Sequence, residues 1–235
     1  MTFHIVTIFP DFFRGPFEYG VVARARETKR IDVQLHDLRN WTYDRHRTVD
    51  DRPFGGGEGM LLKPEPVFEA VEAILPRRTE RTRVILLSAQ GKLFEQGLAA
   101  KWSELDELVL ICGRYEGVDE RVAEHLADEE ISVGNFVLSG GELGAAVIVD
   151  SVARLLPGVL GNEDSSRNES FSEENKGLLD CPQYTRPADF RGWHVPETLL
   201  GGNHAEIKRW REKAARAKTE RQRPELLRSA SEEKD

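Results

Sequence analysis

The stretch Ser132 to Glu142, SVGNFVLSGGE, runs directly into an almost unbroken apolar segment, Leu143 to Leu156, and limits the possible folds more than any other part of the chain. A buried strand, paired glycines and a buried helix in immediate succession demand backbone that turns sharply or touches a ligand closely. Taken alone, Gly140-Gly141 reads as a tight strand-to-helix turn. A second glycine cluster, Cys112 to Gly117 (CGRYEG), also ends an apolar strand. Two such loops at strand ends could face one crevice and hold a flat ligand through backbone groups.

The rest of the chain places those loops. Phe3–Phe9 and Ile31–Leu38 alternate as strands; Arg83–Ser88, Glu107–Cys112 and Glu130–Val133 read as further strands. Helical spacing covers Pro16–Arg30, Pro64–Leu75, Phe94–Leu105, Val118–Leu126 and Gly141–Leu156. Strand and helix alternating through short connections is the α/β pattern with a largely parallel sheet. Ligands in such sheets sit beyond the carboxyl ends of the strands, where the loops after Leu87, Ile111 and Val133 would all lie. The helix from Gly141 is apolar on nearly all sides and is expected to be buried, partly in a subunit interface. Its charges after Glu142 are Asp150 and Arg154, four apart. They read as an intrahelical ion pair or as a site residue and its neighbour.

Two regions depart from that rhythm. Arg39–Met60 has little periodicity but mixes bases with aromatics (Trp41, Tyr43, Arg45, His46, Arg47, Arg52) before the glycine-rich PFGGGEGM of Pro53–Met60. Such a loop would suit RNA contact and closure over a ligand, or is simply mobile. Gly158–Lys176 turns polar and reads as an inter-domain linker. Beyond it, Asn203 and Glu206 form a capping box for a helix whose seam is Ile207, Trp210, Ala214 and Ala217. From Ile207 to Arg228 nine bases against three acids leave a local charge of +6 within a chain of net charge −8. A concentrated basic element fits docking on a phosphate backbone, or a solvated helix face.

With 235 residues, 39% hydrophobic and 31% charged, the chain can bury a sizeable core. No apolar run approaches the ~20 residues that span a bilayer. Met1–Val6 lacks a charged leader region and reads as a strand, so neither a signal peptide nor a membrane partner is expected. Cys112 and Cys181 form no metal or disulfide pattern and are expected to stay reduced in a cytoplasm.

Six motifs in one order then carry a resemblance: Pro53–Met60, Cys112–Gly117, Ser132–Glu142, Pro157–Gly161 (PGVLG), Leu178–Pro187 (LLDCPQYTRP) and Gly202–Trp210 (GNHAEIKRW). From Thr2 to about Leu227 the chain closely resembles bacterial tRNA (guanine-N1)-methyltransferase. The resemblance implies a SPOUT-class α/β domain with a C-terminal trefoil knot over residues 1–160. It also implies a linker over 161–177 and a small helical tRNA-binding domain over 178–235. Composition and periodicity give no sign of a knot, which is rare among folds. The implied activity is methyl transfer from S-adenosyl-L-methionine to N1 of guanosine 37 of tRNA, next to the anticodon, in a homodimer with shared active sites. Magnesium would assist, although no ligand cluster in the sequence predicts a site.

Carried over residue by residue, the resemblance assigns the base to Glu169, within Glu169-Ser170-Phe171 where the family usually has an aspartate, and the guanine-facing cation to Arg154. Donor binding falls to Gly113, Val133, Gly134, Asn135, Phe136, Val137 and Leu138, with Leu87, Tyr115, Gly140 and Gly141 as neighbours. Glu116 would pair with the donor's positive groups, or is a plain surface acid. Neutral guanine N1 carries a proton and is a poor nucleophile, so methylation there needs a base, and a donor for the charge that spreads to O6. A SPOUT ribose 2′-O-methyltransferase and a non-catalytic RNA-binding protein are the competing readings.

Overall fold

The computed structural model describes residues 1–161 and 168–227, which fall into two compact units divided after Gly161. The stretch 162–167 of the expected linker, and the tail from Arg228, lie outside the described residues.

The first unit is built on a five-stranded sheet whose ladders are all parallel. Its strands are β1 (Thr2–Thr7), β2 (Asp32–Asp37), β5 (Thr82–Leu93), β6 (Glu107–Cys112) and β7 (Glu129–Ser132), in the order β2-β1-β6-β5-β7. The central strands read as continuous apolar runs because both faces of the sheet are covered. Phe3, Ile5, Ile85, Leu87, Leu108, Leu110 and Cys112 point to one side. There they pack on α1 (Gly20–Glu27), α3 (Gln96–Trp102) and α5 (Glu142–Ala153). Val6, Val84, Leu86, Val109 and Ile111 point to the other, against α2 (Pro64–Ile74) and α4 (Glu120–His125). Pro64 opens α2 where its missing N–H costs nothing, and Asp119 caps α4 by accepting from the Arg121 amide.

Several elements differ from the sequence expectation. The first helix begins at Gly20, not Pro16; Gly20 has φ +69° and marks the turn into it. β5 runs on to Leu93, because its register against β7 shifts between Leu87 and Lys92 and both of these pair with Ile131. The loop before α2 holds a helical turn, Leu38–Trp41, and a short antiparallel pair, β3 (Asp50–Asp51) with β4 (Leu61–Leu62). α5 is not buried all round: Leu143 and Val147, one turn apart, are 51% and 48% exposed.

A hydrogen-bonded line crosses the edge of this sheet on β2, β1 and β6. His36 Nε2 lies 3.1 Å from His4 Nδ1, and His4 Nε2 lies 3.2 Å from Glu107 Oε2. Burial first, and then the neighbouring His4, lower the His36 pKa from 6.5 to about 4. The native ring therefore stays neutral where the unfolded ring takes up a proton. Its contribution to stability is complete above pH 6.5 and is lost as pH falls toward 4. Halved for a half-exposed ring, it amounts to about 1–2 kcal/mol. Urea midpoints for the native chain and His36→Gln should therefore diverge less at pH 4.5 than at pH 7.

In the second unit, residues 168–178 fold into successive turns. Glu169 O accepts from Ser172 Oγ and from Asn175 Nδ2, each at 2.8 Å, and the Asp180 amide reaches Ser170 Oγ at 2.9 Å. An antiparallel hairpin, β8 (Asp189–Phe190) with β9 (Trp193–His194), precedes the helices Glu197–Leu200 and His204–Gln222. Asn203 caps the long helix by accepting from the amides of Ala205 and Glu206, as its spacing predicts. Its seam differs from the expected one, however: Ala217 is exposed and Thr219 is fully buried. Thr219 Oγ1 donates to Ala215 O and accepts from the Leu179 amide, which pins the segment after the turns to the helix.

Candidate active site

Three segments converge on one cavity of about 200 Å³: the stretch of β5 where its register against β7 shifts, and the loops that leave the carboxyl ends of β6 and β7. Ser88–Gln90 supply one wall, Gly113–Gly117 the second, and Val133–Gly141 the third. The topology dictates this convergence: β6, β5 and β7 are adjacent and parallel, so these segments lie side by side. Leu87, Gly113, Tyr115, Glu116, Val133, Gly134, Phe136, Val137, Leu138, Gly140 and Gly141 all line the cavity. Asn135 is the exception: it is exposed and does not line it.

Backbone contacts hold the loops together. Gly141 N donates to Gly113 O at 2.9 Å, and Arg114 bridges to Gly140. The glycine-rich segment joins them from outside: Glu116 N donates to Met60 O, Leu62 N to Gly117 O, and Asp119 N to Leu62 O, each at 3.0 Å. PFGGGEGM thus ends against the middle wall of the cavity, with Phe54 fully solvent-exposed. The lining is mostly glycine backbone and apolar side chains, so a flat, partly polar ligand can approach main-chain donors and acceptors closely.

Two residues at this site escaped the sequence reading. Glu142, in the first turn of α5, is 1% exposed; it accepts from Thr7 Oγ1 at 2.8 Å and from Arg114 Nε at 3.0 Å. Arg114 also reaches Ser139 O through Nη1 at 3.1 Å and lays its guanidinium over Phe9, 4.6 Å from the ring centre. An acid opening an otherwise apolar helix and an arginine inside a glycine loop were the available signals. Cys112, beside them, is fully buried; burial first and the Glu142 charge second push its thiol well up, so it is an inert core group.

The two residues assigned to catalysis belong to different units. Arg154 is half-buried at the carboxyl end of α5, its amide donating to Asp150 O at 3.2 Å. Glu169 is half-buried in the second unit, its backbone held by the turn network of Ser172 and Asn175. Arg154 does not line the cavity. Among the described residues no group of three or more His, Cys, Asp or Glu could hold a metal ion, and no helix is long and apolar enough to cross a membrane.

Comparison with known proteins bears on what such a cavity serves. A family model described as tRNA (Guanine-1)-methyltransferase TrmD matches residues 1–229. A protein of Koribacter versatilis, named tRNA (guanine-N(1)-)-methyltransferase, is 58% identical over 251 aligned positions, covering 100% of this chain and 95% of its own length. Proteins of the same name from Dictyoglomus turgidum and Dehalococcoides mccartyi are 52% and 51% identical, each alignment covering 97% of this chain and 90% of the relative. A match across nearly the whole chain, at about half identity and with the glycine loops gathered at one cavity, leads to one conclusion: the chain belongs to the tRNA (guanine-1)-methyltransferase TrmD family.

Proposed function

We propose that this chain methylates N1 of guanosine in tRNA, at position 37 beside the anticodon, with S-adenosyl-L-methionine bound in the cavity between β5 and the two glycine loops. The observation that carries the reading is the gathering of Leu87, Gly113, Val133, Gly134, Leu138 and Gly141 around one cavity. Main-chain groups and apolar side chains together fit a purine and a polar tail. When bound, the donor supplies an electrophilic methyl group on a sulfonium.

The chain's own residues do the remainder. Glu169 takes the N1 proton, which leaves a lone pair at N1. N1 bonds to the methyl carbon as the carbon–sulfur bond breaks and its electron pair returns to sulfur. Arg154 holds the negative charge that gathers on O6. Both residues come together with the cavity in a homodimer that shares its active sites. What supports the dimer is the apolar pair Leu143 and Val147 left open on α5, with Phe136 and Val137 also exposed near the helix in sequence. The trefoil knot of a SPOUT-class domain is part of the same proposal, supported by the family match over residues 1–229. The second unit, with its basic helix, would dock the tRNA, and the enzyme would work in the cytoplasm. The magnesium implied by the resemblance has no protein ligand cluster among the described residues, and no step here runs through it.

Unmodified tRNA and donor with a labelled methyl group, followed by digestion, test the reading. The label should appear in 1-methylguanosine and vanish when guanosine 37 is replaced. Label on a ribose oxygen would point to a 2′-O-methyltransferase; no donor binding at all would point to an RNA-binding adaptor.

A further inference from the structure

Glu142 is a fully buried carboxylate, and the reaction described above does not use it. A buried charge is retained only where partners compensate it. Here the partners come from three separate parts of the first unit. Thr7, at the end of β1, donates its hydroxyl to Oε1, and that hydroxyl in turn accepts the Phe9 amide at 2.9 Å. Arg114, in the middle wall of the cavity, brings Nε to both carboxylate oxygens, at 3.0 and 3.2 Å. The amino end of α5 adds its own positive pole. Arg114 then spends Nη1 on Ser139 O, in the opposite wall.

The packing around the pair leaves no slack. A Cβ built on Gly140 would stand 2.2 Å from Arg114 Nε and 2.6 Å from Glu142 Oε2. The wall at Gly140 is therefore seated directly on the ion pair, and the guanidinium is closed in on its other side by Phe9. A fork-shaped cation that binds a carboxylate and a carbonyl together fixes two loops relative to each other; a lysine ammonium cannot reproduce that geometry.

We infer that Arg114 and Glu142 are positioning residues: their buried ion pair clamps the Gly113–Gly117 and Ser139–Gly141 walls at the spacing the donor requires. The pair acts through the shape of the cavity and not on the reacting atoms. It rests on the proposed donor site for its effect on activity, but its effect on the walls stands by itself.

Arg114→Lys keeps the charge and removes the fork; Glu142→Gln keeps the shape and removes the charge. In Arg114→Lys the Kd and KM for S-adenosyl-L-methionine should rise about tenfold. The kcat at saturating donor and the affinity for unmodified tRNA should stay within about threefold. Amide exchange should quicken at Gly113–Gly117 and Ser139–Gly141, with the other strands unchanged. Glu142→Gln should do the same to a smaller degree, and serves alone if the lysine variant fails to fold. Donor affinity within twofold and unchanged exchange in the folded variants would overturn the inference. So would equal losses of donor and tRNA binding with faster exchange throughout, which is the mark of a structural role only. If the unaltered protein binds no donor, the proposed function falls, and exchange at the two walls decides the clamp without it.

Discussion

Glu169→Gln should slow methyl transfer by about 10²–10⁴-fold, the usual contribution of a positioned general base. Arg154→Ala should cost about 10²–10³-fold, as does removing one donor to a developing oxyanion. Both variants should bind S-adenosyl-L-methionine within about threefold of the native protein, because neither residue is assigned to donor binding and Arg154 does not line the cavity. Both should keep their fold as well. The Glu169 backbone is held by Ser172 and Asn175 through its carbonyl, which the amide substitution leaves in place. Single-turnover rates with saturating donor separate chemistry from binding here. Native turnover in Glu169→Gln would remove the base, and tighter coupling of rate to donor concentration in Arg154→Ala would move that residue from catalysis to binding.

Gly141→Ala is expected to be strongly damaging to the first unit and to its cavity together. Its new methyl would lie 2.7 Å from Cys112 Cα and 3.2 Å from Gly113 N, and both of those atoms are backbone at the end of the central strand β6. Backbone cannot turn aside as a side chain can, so either the strand or the start of α5 must move. The bond from Gly141 N to Gly113 O lies in the path of that movement. Overpacking of this kind costs about 2–3 kcal/mol. In a chain of this size that is about 5–10 °C in Tm. Donor affinity should fall at least tenfold in the same variant, since the displaced atoms are cavity wall. Gly97→Ala is the control: nothing lies within 4 Å of its added methyl, and it sits in the first turn of α3. Its effect on Tm should be neutral or slightly favourable. An unchanged Tm in Gly141→Ala would mean that the loop contact is looser than the geometry requires.

The fold was legible where hydrophobicity and chain punctuation act locally. β6 occupies its expected residues, Glu107–Cys112, because a strand covered on both faces reads as a continuous apolar run, here Leu108–Cys112. The two glycine clusters announced the cavity, since only glycine allows backbone to come so close. Asn203 announced its helix through a capping bond that spans three residues. What could not be read depends on partners distant in the chain. Glu142 meets Arg114 across 28 positions and Thr7 across 135, and no local pattern encodes either distance. The extension of β5 to Leu93 depends on its register with β7, which appears only once the two strands pair. The exposed Leu143 and Val147 looked like core in the sequence because burial and exposed apolar surface carry the same pattern.

Amide exchange with and without S-adenosyl-L-methionine tests the central claim most directly, because it reports where on the chain the donor sits. Saturating donor should slow exchange at Ser88–Gln90, Gly113–Gly117 and Val133–Gly141 together, and leave the hairpin Asp189–His194 unchanged. Saturable binding with protection elsewhere and none in those three segments would contradict the account.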